Sequence, residues 1–161
     1  MARKRRLVRA LGRRAGAIHA GMYRRSGGRR GGKIKGIPVL LITTTGRVTG
    51  LERTQPICYC RDGERYIVAG TNGGTKHAAC WSLNLRTDPN ARIQVGPEAI
   101  EVCATEATGD EYERLWAMYI QQHPVIARYR AKTTRRIPVW QLEPTKLVPS
   151  GATALDQRAQ L

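Results

Sequence analysis

Residues suited to anion binding are concentrated in TTTGRVTGLERTQP, residues 43–56. Gly46 and Gly50 lie four residues apart, and Arg47 and Arg53 lie six apart. Glycine permits a positive φ, so the backbone N–H groups of such a turn can converge on one point. The planar guanidinium group of arginine suits phosphate and carboxylate. The stretch predicts an anion cradle at a strand end; the simpler alternative is a hairpin turn that carries surface arginines.

Two further stretches carry candidate binding residues. GTNGGT, residues 70–75, is a turn between a predicted strand and a predicted helix, where backbone N–H groups can meet an anion or the polar edge of a flat ring. The helix contains CWSLNL, with Trp81 and Asn84 on one face, although core packing is the usual fate of a helical tryptophan. In HPVIARYRAKTTRRIPV, residues 123–139, Tyr129 either points into a cleft or packs.

Several chemistries are disfavoured by what the sequence lacks. The chain has three serines, no G-x-S-x-G motif, no Walker phosphate loop and no cluster of acids typical of a paired-carboxylate hydrolase. Its four cysteines form no C-x-x-C pair and its three histidines have no metal-ligand spacing, which disfavours a structural zinc site. We expect Cys58, Cys60, Cys80 and Cys103 to be reduced, mostly buried side chains of a cytoplasmic protein. If the chain is an enzyme, a cofactor carries its chemistry.

The positive charge is concentrated near the N-terminus. The chain of 161 residues has a net charge of +16, and residues 1–36 hold 13 of its 28 Lys and Arg residues and no acid. The remainder holds 15 bases against 12 acids, a net charge of only +3. We predict a basic arm over 1–36, a folded domain over 37–144 and a disordered tail over 145–161. Nucleic-acid binding is disfavoured because the folded part is nearly neutral and has no RNA-recognition or zinc-finger pattern.

The arm contains a predicted amphipathic helix over residues 7–25, followed by a flexible Gly-rich linker over 26–36. The helix is either a solvated basic helix or one that lies on an anionic membrane surface. The second alternative places a cytoplasmic protein at the inner face of the membrane through residues 1–35. No run of about 18 apolar residues is present, so we expect no spanning helix.

The remaining pattern is mainly β. Predicted strands cover 39–45, 53–60, 66–70, 91–95, 99–107 and 137–143, and predicted helices cover 76–85, 108–122 and 125–132. Asp62-Gly63 and Gly96-Pro97 are turn signals between consecutive strands. Strands in hairpin order argue against a doubly wound sheet and predict a small, mainly antiparallel β-barrel with helices packed on it.

Three of these stretches, taken in order, resemble the deazaflavin-dependent nitroreductase family of actinobacteria and relatives. They are LLITTTGRVTGLERTQPI, AGTNGGTKHAACWSLNL and HPVIARY followed by TTRRIPVW, and the resemblance covers about Met22 to Pro144. It implies a split antiparallel β-barrel related to flavin reductases and pyridoxamine oxidases. It also implies deazaflavin coenzyme F-420, whose tail carries a phosphate and glutamates, and hydride transfer from the reduced coenzyme to a quinone, nitroaromatic or related acceptor.

The resemblance also implies site residues. Arg47, Thr49 and Arg53 would hold the acidic tail, within a cofactor-binding set made of Thr45, Gly46, Arg47, Val48, Thr49, Arg53, Gln55, Pro56, Gly70, Thr71, Asn72, Cys80, Trp81 and Asn84. The acceptor would be lined by Cys58, His123, Ile126 and Tyr129, with His123 and Tyr129 as the catalytic candidates and His123 as a proton donor.

This sequence departs from the family pattern at informative positions. Val48 stands where the family usually has lysine, which removes one charge facing the phosphate, worth about 1 kcal/mol at an exposed site. Cys58, His123 and Ile126 stand where tyrosines are common, which disfavours nitroimidazole reduction. Two alternatives remain open: a reductase that uses flavin mononucleotide on the same fold, and a non-catalytic basic module that binds the coenzyme, a membrane or nucleic acid.

Overall fold

The computed structural model describes residues 15–148. Residues 1–14 of the predicted basic arm and residues 149–161 of the predicted tail lie outside this range. The strands are β1 (Lys33–Ile34), β2 (Ile37–Thr45), β3 (Glu52–Asp62), β4 (Arg65–Ala69), β5 (Asn90–Val95), β6 (Glu98–Glu106) and β7 (Val139–Val148). The helices are α1 (15–26), α2 (Cys80–Thr87), α3 (Gly109–Gln122) and α4 (Pro124–Arg130), with a single 3-10 turn at Asn72–Gly74.

Six of the strands close into an antiparallel barrel. They are ordered β2-β3-β4-β7-β6-β5, and β2 also pairs with β5, where Ile42 lies opposite Ile93. The two-residue strand β1 pairs with β2 beside this ring. Gly63, at φ +59°, makes the tight β3–β4 turn that Asp62-Gly63 predicts. The predicted antiparallel barrel is thus confirmed.

The barrel interior is apolar and is filled partly by α2. Leu40 and Ile42 of β2 point inward and contact Trp81 and Leu85, which α2 inserts from one end. Burying side chains of this size stabilises the fold by roughly 1.5–3 kcal/mol each. The helix is therefore anchored by its own apolar face, which fixes the polar side chains on its other positions.

The outer face of the barrel is covered by α3 and α4. Their buried side chains, Leu115, Tyr119 and Ile126 among them, pack on Cys60 and Ile67. Burial raises the pKa of the Cys60 thiol to about 12. A polar bridge adds to this packing, because Arg114 of α3 donates from Nη2 to Asp62 Oδ2 over 2.8 Å.

The described part of the predicted arm packs on the barrel. Tyr23 of α1 is 1% exposed and its hydroxyl donates to the Val39 carbonyl over 3.0 Å, while Gly96 N–H donates to the same hydroxyl over 2.9 Å. His19 Nε2 donates to the Gly31 carbonyl over 2.7 Å. The segment 26–36, predicted as a flexible linker, is thus held against α1 by specific contacts, and β1 lies inside it.

Two element boundaries differ from the prediction by more than two residues. The last strand was expected to end at Glu143, but β7 continues to Val148 because β6 supplies partners there, with Ala99 opposite Val148. A bulge at Glu101/Val102 accommodates Pro144, which has no N–H for the ladder. The predicted tail therefore begins no earlier than residue 149. The helix expected over 76–85 begins only at Cys80, since Asn72 Nδ2 donates to the His77 carbonyl and holds the preceding segment in a loop.

Candidate active site at the barrel mouth

A buried amide joins the Gly-Arg turn to α2. Asn84 is 4% exposed, and its Oδ1 accepts hydrogen bonds from Arg47 N (3.2 Å) and Arg47 Nη1 (3.3 Å). Its Nδ2 donates to Thr44 Oγ1 over 3.0 Å. The amide therefore fixes both the backbone and the guanidinium group of Arg47 at the end of β2.

The turn itself uses most of its backbone donors. Gly46 N–H donates to the Leu51 carbonyl (2.9 Å), and the N–H groups of Thr49 and Gly50 donate to the Gly46 carbonyl (3.1 and 2.7 Å). Gly50 has a φ of +66°, as the sequence indicates for this turn. The prediction that these backbone amides converge on an anion is therefore wrong. The groups at this turn that remain suited to an anion are the arginine side chains.

Arg53 lies at the same mouth as Arg47. It pairs directly with Thr44 across β2 and β3, and paired residues of antiparallel strands point to the same face. Within residues 15–148 neither guanidinium forms an ion pair, whereas Glu52, beside Arg53, pairs with Arg92 over 3.1 Å. We call the set of Thr44, Arg47, Arg53 and Asn84 the Arg47 corner.

The other predicted residues of this turn differ in exposure. Val48 is 85% exposed, and Thr45 and Thr49 are exposed as well. Gln55 pairs with Ile42 and so shares its inward face, and Pro56 pairs with Leu41 on the opposite face. Pro56 thus faces away from the corner.

The loop 70–75 lies between β4 and α2. Gly70 is buried, its N–H donates to the Pro138 carbonyl over 2.8 Å, and a Cβ added there would meet Pro138 Cγ at 2.8 Å. Asn72 has a φ of +44° and its Nδ2 donates to Thr75 Oγ1 over 2.8 Å. Thr71 is half-buried and Cys80, at the start of α2, is exposed.

Arg135 holds this loop from the other side, and its role went unpredicted. Its Nη2 donates to the Gly70 and Thr71 carbonyls over 3.0 and 2.7 Å. The motif TTRRIPVW contains this residue, but nothing in the local pattern indicates which of its two arginines turns inward.

Trp81 differs from its predicted place. It is 5% exposed and packs in the barrel interior, so it supports α2 from beneath and does not border open space. Ser82 lies within CWSLNL but was not among the predicted site residues; it is fully buried and accepts a hydrogen bond from Trp140 Nε1 over 2.8 Å. Core packing, the usual fate of a helical tryptophan, therefore describes Trp81.

Two of the four predicted acceptor-lining residues, His123 and Ile126, are buried, and Cys58 and Tyr129 are half-buried. His123 is 3% exposed, its Nε2 donates to the Tyr59 carbonyl (3.0 Å), and its Nδ1 has no partner in the described part of the chain. The Tyr119 ring stands edge-on to it with centroids 4.9 Å apart. The backbone N–H of His123 donates to the Tyr119 carbonyl and closes α3.

Cys58 and Ile126 lie in the same region. Tyr119 OH donates to the Cys58 carbonyl over 2.8 Å, and burial raises the pKa of the Cys58 thiol. Ile126 is 4% exposed. We call Cys58, Tyr119, His123 and Ile126 the His123 patch, and its burial favours a packing role for His123 over direct contact with an acceptor.

Tyr129 is the one of these four predicted residues that lies against the loop 70–75. It is half-buried on α4, and a Cβ added at Gly74 would meet its carbonyl oxygen at 2.9 Å. Lys132 Nζ lies 5.8 Å from the centre of its ring. Tyr129 therefore borders the loop 70–75, while it also packs against the apolar cluster that contains Tyr119 and Ile126.

The family of this chain follows from its similarity to known proteins. Residues 15–144 match the family described as F420H2-dependent quinone reductase, where F420H2 is the reduced form of coenzyme F-420. The chain belongs to this family. An F420H2-dependent quinone reductase of Mycobacterium tuberculosis is 35% identical over 126 residues, which cover 76% of this chain and 85% of the relative.

Solved structures agree with this assignment. An F420-H2 dependent reductase, FDR-A, is 31% identical with a TM-score of 0.61, over 66% of this chain and 94% of that one. A protein described as a domain-swapped dimer is 30% identical with the same TM-score of 0.61, over 70% of this chain and 88% of that one. The split-barrel prediction is confirmed by the first of these neighbours.

Family membership makes the chain an oxidoreductase enzyme whose cofactor is coenzyme F-420 and whose reaction is F420-dependent quinone reduction. The predicted enzyme class and cofactor are thus confirmed. Over residues 15–148, no group of three or more His, Cys, Asp or Glu side chains is arranged to hold a metal ion. In the same range no helix combines the length and apolarity needed to cross a bilayer.

Proposed function

We propose that this chain holds the phosphate and glutamate tail of coenzyme F-420 at the Arg47 corner during quinone reduction. The observation that carries the proposal is the buried Asn84 amide, which orients Arg47 without neutralising it. Arg53 supplies a second cation at the same mouth, opposite Thr44. Guanidinium groups bind phosphate and carboxylate by paired N–H donors, and a fixed group loses less side-chain entropy on binding. The donor set fits a tail that carries several negative charges.

The deazaflavin ring, in this proposal, lies beside the loop 70–75 and the exposed start of α2 at Cys80. Gly70 supports this placement, since any side chain there would collide with Pro138 and reshape the loop. Trp81 keeps α2 in place from within the barrel. Asn84, which belongs to the Arg47 corner, and Cys80, which lies beside the proposed ring position, are one turn apart on α2. This short helix therefore sets the distance between the tail site and the ring site.

Tyr129 is our candidate for contact with the acceptor. When bound, the reduced coenzyme supplies a hydride, and the quinone must also gain a proton to become a hydroquinone. A tyrosine hydroxyl can donate a hydrogen bond to a quinone oxygen as that oxygen gains its proton. Tyr129 is half-buried, so part of its surface is open to a ligand. We assign His123 to the support of β3 and α3, since its donor is already bonded to the Tyr59 carbonyl.

We further propose that the enzyme meets its quinone at the surface of an anionic membrane, which it contacts through α1. Ile18 and Met22 of α1 are 73% and 42% exposed. They line a groove of about 940 Å³ together with Arg25, Arg29 and Arg30. Exposed apolar side chains among arginines suit the surface of an anionic membrane, where each cation contributes about 1 kcal/mol. Vesicles with anionic lipid should pellet the wild-type chain and leave Ile18→Glu/Met22→Glu in solution; equal pelleting would contradict this placement.

Two titrations test the proposed function. Purified protein is mixed with oxidised coenzyme F-420 and, in parallel, with flavin mononucleotide, and the ligand fluorescence is followed. We expect saturable binding of coenzyme F-420 that is much tighter than that of the flavin, and reoxidation of the reduced coenzyme by menadione. Tight flavin binding with no response to coenzyme F-420 would reject the proposal. Binding without reoxidation would show a site that carries the coenzyme but does not use it on quinones.

A further inference from the structure

One guanidinium group gathers the carbonyl oxygens of the loop 70–75. Arg135 donates from Nη2 to Gly70 O and Thr71 O, and from Nε to Thr75 O over 3.0 Å. These three acceptors belong to a single loop of six residues. We call this arrangement the Arg135 clamp.

With its carbonyls held by the Arg135 clamp, the loop 70–75 keeps backbone N–H donors on its outer side. The N–H groups of Thr71, Gly74 and Thr75 are bonded inside the loop region, to Ala69 O, Thr71 O and Asn72 O. For the chain between residues 15 and 148, no acceptor is found for the N–H groups of Asn72 and Gly73. Both residues are exposed and have positive φ, +44° and +64°. Two neighbouring backbone donors therefore face outward while the carbonyls face Arg135.

The charge of Arg135 is not neutralised by a neighbour. It forms no ion pair with any carboxylate of residues 15–148, although it is only partly exposed. Burial lowers its pKa, but arginine starts so high that the group stays charged. A charged donor bonded only to backbone carbonyls holds them more strongly than a neutral donor does.

We propose that Arg135 is a positioning residue for the coenzyme: by holding the carbonyls of Gly70, Thr71 and Thr75, it presents the N–H groups of Asn72 and Gly73 to the carbonyl oxygens on the edge of the deazaflavin ring. The inference rests on the proposed function, in which the ring lies beside this loop. The inference also specifies which edge of the ring faces the loop: the edge that carries hydrogen-bond acceptors, because the loop offers donors there.

The test uses two ligands and a neighbouring arginine as control. The ligands are intact coenzyme F-420 and the deazaflavin core without its phosphate and glutamate tail. The variants are Arg135→Gln and the control Arg136→Gln, whose guanidinium carbon lies 3.9 Å from the centre of the Tyr112 ring and which donates no side-chain hydrogen bond to the loop. We expect Arg135→Gln to weaken both ligands by the same factor, about tenfold, because the donors lose their orientation. Arg136→Gln should bind both as the wild type does.

A second measurement separates positioning from a general loss of stability. Millimolar methylguanidinium should restore binding to Arg135→Ala and leave Arg136→Ala unchanged, whereas a variant that is merely less stable would not respond to so little of this cation. Unchanged binding of both ligands to a folded Arg135→Gln would overturn the inference. If the wild type itself binds neither ligand, the proposed function fails, and the inference fails with it. Binding that depends on Arg47 but not on Arg135 would reject the inference alone.

Discussion

The Arg47 corner and the His123 patch both contain residues that the family resemblance implies for the site, but the fold gives the two regions opposite surroundings. In the corner, a buried Asn84 amide holds an exposed cation. In the patch, a buried imidazole bonds to a strand carbonyl and leaves its second nitrogen without a partner among the described residues. Only the corner offers unsatisfied charge to a ligand.

A buried polar group can act by orienting a neighbouring side chain or by joining two structural elements. Asn84 contributes by fixing another residue, and its own amide is engaged by Arg47 and Thr44. His123 contributes by connecting α3 to β3, where Tyr119 packs against it. We therefore expect changes in the corner to alter coenzyme affinity and changes in the patch to alter stability.

Among the single substitutions, the largest effect on coenzyme affinity is expected from Asn84→Ala. Arg47 loses the acceptor that orients both its backbone and its side chain, so affinity for coenzyme F-420 should fall about 30-fold, as expected for two lost hydrogen bonds. Fluorescence titration measures the change, and Asn90→Ala, an exposed asparagine, is the matched control. An affinity within twofold of the wild type would show that the corner does not hold the tail.

A large effect of another kind is expected from His123→Ala. The change leaves a cavity and an unsatisfied Tyr59 carbonyl, so the free energy of unfolding should fall by about 2–3 kcal/mol. Denaturant titration measures this loss, and kcat with menadione below the unfolding transition should stay within twofold. A tenfold loss of kcat in a protein of normal stability would restore His123 as a catalytic residue.

The pH dependence of stability provides a third contrast, at Asp62. Hydrogen bonds from Arg114 lower the pKa of this carboxyl, so its contribution is complete above the pKa of the unfolded chain, about 4, and is lost as the pH falls through the folded pKa. At pH 7, Asp62→Asn should reduce the free energy of unfolding by about 1 kcal/mol, and the deficit should shrink at pH 3. Glu113→Gln, on the exposed side of α3, serves as control. A deficit that is the same at both pH values would contradict the ion pair, and a change in coenzyme affinity would contradict the separation of this β3–α3 bridge from the coenzyme site.

The smallest effect is expected from Val48→Lys. Val48 is 85% exposed beside Arg47, so an added cation should strengthen coenzyme binding by about 0.5 kcal/mol, or roughly twofold. The gain should disappear in 0.5 M salt because the charge is screened. Val48→Leu is the control of similar size. A gain that persists in high salt would indicate a contact other than charge.

Sequence patterns predict the elements whose signals are local. The β-branched run of β2 and the period of α3, opened by Thr108, need no distant partner to be recognised. The extension of β7 to Val148 depends on β6, and the delayed start of α2 depends on a bond between Asn72 and His77. Both are tertiary effects that a single stretch does not reveal.

The candidate site shows the same division. The motifs identify Arg47 and Asn84 as members of one site, but they do not reveal that one holds the other. Arg135 was not assigned a role because its three acceptors lie more than 50 residues away in the chain, so only the fold brings them together.

The most direct test compares intact coenzyme F-420 with the tail-less deazaflavin core in the wild type and in Arg47→Gln/Arg53→Gln. We predict that the double variant binds the intact coenzyme at least tenfold more weakly, as expected for two lost guanidinium contacts, and binds the core as the wild type does. Equal loss for both ligands, or no loss for either, would contradict the claim that the Arg47 corner holds the tail.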